Sequence, residues 1–405
     1  MVALGVSIAL IGIGRLELAS GGFSVSAWSA SRTTFFFWLS FKLWLFIRRR
    51  RDFRKGLDLK PLAPLGLFFL VVSLSLLPDF RQSGDYRYFF FGCAHAVMLF
   101  DVFSATPQRR WLPVVLGLTP MILVLRGFAH DPSILNFSLS QRFAFPLDHA
   151  NTAGYLFAMS IPLCAIVALL SQRWWRRMSV ASCVSQIFAL ILTFSRGAWL
   201  GWAASVFFLT IISRKWVLLA LSLLLTTACV LTFSSIQDRL ATMIQPHDDP
   251  ALRERLQLFM SSLKVGMENP LLGVGYGRGR LKEALRPHLK GTEFEDGPIW
   301  HAHNVYLELL AGTGFLGLLT FLWLIGATLR RVLSAALVRE DAQRLLGFAL
   351  ATSWVAAIVT GMGDIPFYHH ETRIFFFSLL ATAQIYYSSA DAIDALPVSL
   401  NVPRE

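Results

Sequence analysis

A chain of 405 residues in which 55% are hydrophobic and only 15% are charged is too apolar for an ordinary soluble globular protein. Its mean hydropathy of +0.55 and its recurring apolar runs of about 20 residues predict an all-α polytopic membrane protein. The net charge of +12 does not indicate nucleic-acid binding, because the basic residues stand in short clusters between apolar runs.

The apolar runs predict about twelve transmembrane helices. In chain order these cover residues 2–25, 33–47, 62–78, 86–104, 111–126, 151–171, 178–194, 197–212, 216–233, 304–327, 345–361 and 373–388. The first run is interrupted by Arg15 and Glu17 and follows no basic region, so we do not expect a cleaved signal peptide. Four cysteines fall inside apolar runs without metal-ligand spacing, which indicates small core-facing or lipid-facing residues: Cys93, Cys164, Cys183 and Cys229.

We expect one membrane domain over residues 1–405, with a single loop insertion at 234–303 that contains short helices, and a polar tail at 388–405. The positive-inside rule places the basic clusters, both termini and the tail in the cytoplasm. These clusters are Arg48 to Arg51 with Arg54 and Lys55, Arg109 and Arg110, Arg173 with Arg176 and Arg177, Arg214 and Lys215, and Arg330, Arg331, Arg339 and Arg344. The loop then lies outside the cytoplasm, where a transferred group has to arrive on a membrane carrier such as a polyprenyl diphosphate.

Within the loop, Asp249-Pro250 and the residues that follow predict a capped amphipathic helix. Arg253 and Arg255 flank its apolar stripe, which consists of Leu252, Leu256, Phe259 and Leu263. The glycine-rich sequence LLGVGYGRG comes next. It favours a tight surface turn over a phosphate-binding loop, because neither a strand nor a Walker lysine accompanies it.

His303-Asn304, nine further residues and then Gly314 and Gly317 form an uncommon spacing at the start of an apolar run. His303 is either a structural residue at a helix start or a general base, for which an ordinary pKa of about 6.5 is suitable. His301 is expected to support it or to lie on the surface. Asn304 either binds sugar or phosphate oxygens or caps its helix, and the glycines are expected to allow close packing.

Four segments in this order resemble the O-antigen ligase family: Asn151 after FPLDHA, SRGAWLG with Arg196, RERLQLF with Arg255 running into NPLLGVGYG, and the histidine–glycine string. The resemblance covers residues 145 to 330, with Phe259 standing where relatives often have tryptophan. It implies a GT-C-like membrane glycosyltransferase of twelve helices in the bacterial inner membrane, with a large periplasmic loop and an active site facing the periplasm.

The implied reaction is the transfer of O-antigen polysaccharide from undecaprenyl diphosphate to lipid A-core oligosaccharide, by an inverting displacement without a metal or other cofactor. The chain has no Asp-x-Asp motif for Mg²⁺, and arginine can hold two phosphate oxygens at once. The implied catalytic residues are His303, Arg196 and Arg255, and the implied substrate-binding residues are Arg142, Asn151, Asn304 and Arg253. Weaker candidates for the acceptor side are Asp148, His149, Asp364, His369 and Glu371.

Other interpretations stay open for these residues. Arg196 could be an interfacial arginine that extends its charge toward water, Arg255 could pair with Glu254 or Asp249 on a solvated face, and Asn151 could cap its helix. O-antigen polymerases and O-linked protein oligosaccharyltransferases share the donor chemistry, and the short tail argues against the latter. A lipid-linked glycan transporter is the alternative from another class, but it would require intramembrane charges and paired broken helices. We expect a monomer among membrane lipids.

Overall fold

The computed structural model of the chain describes residues 16–18, 23–25, 32–40, 42, 59–77, 84–104, 106–136, 138, 141–147, 149–214, 216, 220, 223–224, 227, 231–244, 249–339, 341–366 and 368–388. Almost all of the regular structure in these ranges is helical, which confirms the all-α prediction. The predicted helices 33–47 and 216–233, the tail 388–405, Cys229 and Asp148 lie wholly or partly outside the described residues.

The exception to the helical architecture is a short hairpin near the start of the chain. Strands β1 (Leu16–Leu18) and β2 (Phe23–Val25) pair antiparallel. The predicted helix 2–25 is therefore wrong at these residues. The glycine-rich sequence of this region explains the difference, because glycine has a low helix propensity.

Helices make up the rest of the described architecture. Residues 32–40 are helical, and the later helices are α1 (Ala63–Leu74), α2 (Gly84–Phe103), α3 (Leu112–Leu118), α4 (Pro120–His130), α5 (Ala150–Leu170), α6 (Arg173–Leu192), α7 (Arg196–Ser213), α8 (Ser234–Ile244), α9 (Pro250–Glu268), α10 (Arg278–Leu285), α11 (Val305–Leu337), α12 (Asp341–Thr360) and α13 (His370–Ser388). Short 3-10 helices occupy Lys60–Leu62, Pro107–Trp111, Pro132–Asn136 and Arg286–Leu289. The predicted helix 111–126 is divided into α3 and α4 at Pro120, which cannot donate a backbone hydrogen bond.

Several of these helices can cross a bilayer. Five spans in the described part of the chain are long and apolar enough by length and composition: Pro107–His130, Ala150–Leu170, Arg196–Ser213, Val305–Leu337 and Asp341–Thr360. Helices α2, α6 and α13 have similar lengths of 20, 20 and 19 residues, but polar or charged residues interrupt them. The protein is a polytopic membrane protein, and the total of about twelve crossings stays a prediction.

Helix α5 is the centre of the membrane part. Nearly all of its residues are buried, because α3, α6, α7 and α12 all pack around it. Small residues allow this close packing: a Cβ on Gly117 of α3 would lie 2.8 Å from the backbone nitrogen of Cys164. Cys93 and Cys164 are buried free thiols, as expected for small core residues.

The loop insertion has a small core of its own. Leu258 and Val265 of α9 pack with Leu281 and Leu285 of α10, and this cluster also includes Ala311 of α11. The loop therefore rests on the first part of α11, next to the segment that carries His301 and His303.

Helix α11 is broken at Gly314, where φ is +66° and ψ is −170°. Only glycine adopts this conformation readily. In an unbroken α-helix, Phe315 and Leu316 would donate their backbone N–H groups to the carbonyls of Ala311 and Gly312. The break removes both hydrogen bonds and leaves four backbone groups to be satisfied.

The glycine-rich segment after α9 supplies all four partners. Val274 and Gly275 donate to the carbonyls of Ala311 and Gly312 at 2.9 and 2.8 Å. The N–H groups of Phe315 and Leu316 are satisfied in turn by the carbonyls of residues 270 and 271, at 2.6 and 3.4 Å. The sequence LLGVGYGRG thus packs against α11 through backbone hydrogen bonds. This close backbone contact explains why this sequence and the part of α11 around Gly314 are both rich in glycine.

We predict that Gly314→Ala strongly destabilises the protein. A Cβ at Gly314 would overlap the Leu271 carbonyl group, and alanine disfavours the required backbone conformation, so we expect a loss of at least about 2 kcal/mol in stability. Thermal unfolding in detergent micelles measures it.

Gly326→Ala is the matched control in the same helix. A Cβ there meets nothing within 4 Å, so alanine should be neutral or stabilise by up to about 1 kcal/mol. Equal melting temperatures for the two variants would contradict the proposed role of the break.

Candidate active site

Helix α9 begins at the predicted cap. The Asp249 carboxylate accepts hydrogen bonds from the N–H groups of Ala251 and Leu252 at 2.9 and 3.3 Å, and Pro250 occupies the first helical position. The apolar stripe predicted for this helix faces outward, since Leu256 and Leu263 are exposed. The face that packs on the protein consists instead of Leu258, Ser261, Ser262, Val265 and Gly266.

The orientation of α9 separates its two arginines. Arg253 and Arg255 are two positions apart, so their side chains point in directions that differ by about 200°. Arg253 is exposed and forms an ion pair with Glu293 at 3.4 Å. Arg255 is half-buried, and the described residues offer it no acidic partner. Its charge lowers the pKa of the neighbouring Arg142 and the pKa values of both histidines of the HAHN segment, which is residues 301–304.

Arg196 begins α7 and forms an ion pair with Asp249, with 2.7 Å between Nη1 and Oδ2. Only 10% and 9% of these side chains are exposed, so Arg196 does not extend its charge into water. Arg239 of α8 lies 4.0 Å from the same carboxylate oxygen and donates from Nε to the carbonyl of Phe194 at 3.1 Å. Burial acts to raise the pKa of Asp249, but the hydrogen bond and charge of Arg196 outweigh this effect and lower it.

Arg142 reaches the same cluster from the segment before α5. Its Nε donates to the carbonyl of Thr193 at 2.7 Å, and its Nη2 donates to Oδ1 of Asn151 at 3.0 Å. The capping role considered for Asn151 is wrong, because His149 holds the cap position and makes no side-chain cap. Asn151 positions Arg142 instead.

The arginines repel one another. Burial lowers the pKa of Arg142, and the charges of Arg255 and Arg196 lower it further. Burial, followed by the charges of Arg196 and Arg142, lowers the pKa of Arg239 to about 10. Four guanidinium groups thus lie within electrostatic range of one another, and Asp249 neutralises only one charge. Such an excess of partly buried positive charge is suited to binding an anion.

The second half of the site contains His301, His303 and Asp364. Nε2 of His301 lies 3.4 Å from Oδ1 of Asp364, and Nδ1 of His303 lies 4.0 Å from the same oxygen. The backbone N–H of His303 donates to Nδ1 of His301 at 3.1 Å. No described residue forms a hydrogen bond with Nδ1 of His303. His303 also has a φ of +52°, an uncommon conformation outside glycine that often accompanies a functional site.

Both histidines are neutral at physiological pH. Burial lowers the pKa of His301 to about 3, and the charges of His369, Arg278 and Arg255 act in the same direction. Burial and the adjacent His301 lower the pKa of His303 to about 3, against a smaller opposite effect of Asp364. The expectation of an ordinary pKa near 6.5 is therefore wrong. The physical reason is the desolvation of the imidazolium form.

Helix α11 and the loop after α12 hold the HAHN segment in place. Asn304 caps α11, accepting from the N–H groups of Tyr306 and Leu307 at 2.9 and 3.1 Å, as one of its two predicted roles required. Below it, Glu308 is buried, accepts from the N–H of Ala302 at 2.8 Å and accepts a very short hydrogen bond from Tyr368. The turn that carries His303 is thereby fixed at both ends.

The same loop brings the two halves of the site together. A Cβ on Gly363, next to Asp364, would lie 3.5 Å from the Cα of Gly197 at the start of α7 and 3.3 Å from the hydroxyl of Tyr155. Of the acceptor-side candidates, the rings of His149 and His369 meet at 5.5 Å, and Glu371 lies in the first turn of α13.

His301, His303 and Asp364 are also a group of described side chains that could hold a metal ion, since one ligand atom from each lies within 4.8 Å of the others. Tetrahedral zinc with bonds of about 2.0–2.2 Å would place ligand atoms about 3.4 Å apart. The 3.4 Å between His301 and Asp364 meets this requirement, and the 4.0 Å between His303 and Asp364 exceeds it. The arrangement fits a close His301–Asp364 pair with a neighbouring imidazole better than a preformed metal site.

Sequence reasoning had not selected Arg239, Glu308 or Tyr155 for the site. Arg239 carries no motif, and its position depends on a contact with a carboxylate from another helix. Glu308 offered a signal, because a carboxylate within an apolar run is seldom buried without a partner.

Comparison with known proteins identifies one family. The model of the O-antigen ligase family matches residues 181–322. The match includes Arg196, Arg239, Arg255 and His303, whereas Arg142 precedes it. No curated protein matches the chain.

We predict that Asp249→Asn destabilises the protein. Asparagine keeps an oxygen for the helix cap but removes the charge that neutralises Arg196, so we expect a loss of about 2–4 kcal/mol in the free energy of unfolding. Chemical denaturation in detergent micelles measures this loss.

Glu293→Gln serves as the control, because it breaks an ion pair of which both members are exposed. It should change stability by less than about 0.5 kcal/mol. A similar effect of both substitutions would mean that the arginine cluster needs no counter-charge.

Proposed function

From the O-antigen ligase domain that this chain carries at residues 181–322, we propose that it transfers O-antigen polysaccharide from undecaprenyl diphosphate to lipid A-core at the periplasmic face of the bacterial inner membrane. The observation that carries the proposal is a cluster of four arginines with one shared carboxylate, next to a histidine whose Nδ1 has no hydrogen-bond partner among the described residues.

The arginine cluster is suited to the leaving group. Transfer breaks the bond between the sugar C1 and a phosphate oxygen, and the departing lipid diphosphate gains negative charge. Preorganised cations stabilise that charge without reorganising during the reaction. Arg255 is the best placed, because no described carboxylate neutralises it. Arg196, oriented by Asp249, and Arg142, oriented by Asn151, complete the phosphate site.

His303 acts as the general base. The acceptor hydroxyl forms the new bond to C1 while its proton passes to the neutral imidazole, so that one displacement inverts the anomeric centre. Asp364 and His301 orient the base, and the low pKa of His303 keeps it unprotonated before the reaction. Asn304 holds the turn from which His303 projects. The reaction needs no metal or cofactor, and a monomer contains all of these residues.

We predict that His303→Ala lowers transfer by about 10²–10⁴-fold, the usual contribution of a general base, without loss of membrane insertion. Gel-shift assays of the purified protein with lipid-linked glycan and lipid A-core measure the rate. His288→Ala, in the same loop, alters a histidine that pairs with exposed Glu268 and should transfer normally.

The pH profile gives a further test of His303. Because its pKa is lowered to about 3, the base stays neutral as the pH falls through 6.5, and the rate should be flat there. The low pKa would be contradicted if the wild-type rate fell as the pH was lowered through 6.5 and the residual rate of His303→Ala did not.

Normal transfer by a well-folded His303→Ala protein would contradict the role of His303 as the base.

We predict that Arg255→Lys slows transfer at least about tenfold, because an ammonium group cannot reproduce the two-pronged contact of a guanidinium with phosphate. Arg253→Lys, on the opposite side of α9, keeps the charge at an exposed ion pair and should have little effect. Similar rates for the two variants would show that general charge attraction is sufficient. The same assay, run at saturating donor, measures both.

We predict that transfer continues in excess EDTA, because arginines stabilise the leaving group. Donor and acceptor are supplied in metal-depleted buffer, and the initial rate is compared with and without chelator. Inhibition that Mg²⁺, Mn²⁺ or Zn²⁺ reverses would contradict the proposal and would point to His301 and Asp364 as ligands.

A further inference from the structure

We propose that α9 is an in-plane helix whose outer apolar face is immersed in the lipid leaflet on its side of the membrane. The packing face of this helix contains Leu258 and Val265 but also small and polar residues, while its outer face exposes large apolar side chains. Ser261, Ser262 and Gly266 are buried against the protein, whereas Met260 and Met267 are 53% and 61% exposed. A helix in water would bury its large apolar side chains and expose its serines.

The exposed apolar residues form one continuous stripe. Leu256, Met260, Leu263 and Met267 are spaced by four, three and four residues, so they project in nearly the same direction. Lys264 and Glu268 are exposed on one flank of this stripe. Large apolar residues in one row with charges beside them are typical of helices that lie in a membrane interface.

The stripe continues into a surface that already faces lipid. After α9 the chain turns at Leu271, which is 69% exposed, and its carbonyl accepts a hydrogen bond from Leu316 at 3.4 Å. Leu316, Leu319 and Trp323 are exposed on α11, one of the candidate membrane spans. The exposed apolar surface therefore passes from α9 to a transmembrane helix through a backbone contact.

The break at Gly314 indicates how deep α9 lies in the membrane. Residues 315–337 of α11 extend about 34 Å at 1.5 Å per residue, enough to cross a hydrocarbon core of about 30 Å. Gly314 then marks the membrane boundary, and the segment from residue 269 to 275 docks there. The leaflet is consequently the occupant that fits the stripe. A second protein would have to cover both α9 and the adjacent face of α11.

Spin labels in the full-length protein test this placement. In a background without Cys93, Cys164, Cys183 and Cys229, single cysteines replace Met260, Met267, Lys264 or Leu319, and each nitroxide-labelled protein is reconstituted in phospholipid nanodiscs. Relaxation enhancement by oxygen, which concentrates in lipid, is compared with that by water-soluble nickel-EDDA. Lys264 is the matched polar control on α9, and Leu319 is the lipid-facing reference on α11.

We expect the ratio of oxygen to nickel accessibility at Met260→Cys and Met267→Cys to be several-fold higher than at Lys264→Cys and close to that at Leu319→Cys. Ratios equal to that of Lys264→Cys would place the stripe in water and overturn the proposal. Low access to both reagents with an immobilised label would mean that protein covers the stripe, which also overturns it. No outcome depends on transfer activity, so the result is independent of the proposed reaction.

Discussion

The exchange of backbone hydrogen bonds at Gly314 is the constraint on which the site depends. A break inside an apolar helix leaves buried donors and acceptors that need partners from the protein itself. The segment from residue 269 to 275 satisfies them and is thereby fixed against α11. Because α9 precedes that segment directly and His303 lies two residues before the start of α11, the same contact sets the position of Arg255 relative to the histidine.

Electrostatic repulsion is the second physical theme. The protein brings four arginines together and supplies Asp249 as a shared carboxylate, although repulsion among partly buried cations opposes folding. Burial lowers the pKa values of Arg142 and Arg239, and the charges of the neighbouring arginines lower them further. A bound diphosphate would relieve this repulsion, and the relief would favour anion binding. The contacts from Arg142 to Asn151 and from Arg239 to the Phe194 carbonyl hold the guanidinium groups against the repulsion.

Helix α9 links this cluster to the membrane. One face packs Ser262 and Gly266 onto the protein, and Arg255 lies at the beginning of this face. Another face presents Leu256 and Met260 outward. The charge of Arg255 acts on both histidines. If the outward face lies in lipid, α9 holds Arg255 near the membrane surface, where the phosphates of the proposed lipid carrier would lie. The reacting groups of the lipid carrier and of the protein would then meet at the membrane surface, without extraction of the lipid chain.

The sequence alone was sufficient for the membrane class, for most helix positions, and for the local features at Asp249 and Asn304, because apolar run length and caps depend on neighbouring residues. It also placed the resemblance that the family match confirms at residues 181–322. Only the tertiary structure decided that Asp249 pairs with Arg196, that Asp364 approaches His301 and that burial lowers the histidine pKa values, since these contacts join residues more than 50 positions apart. Periodicity likewise predicted the stripe on α9 but not its direction, because in a membrane protein an apolar face can turn either to the core or to lipid.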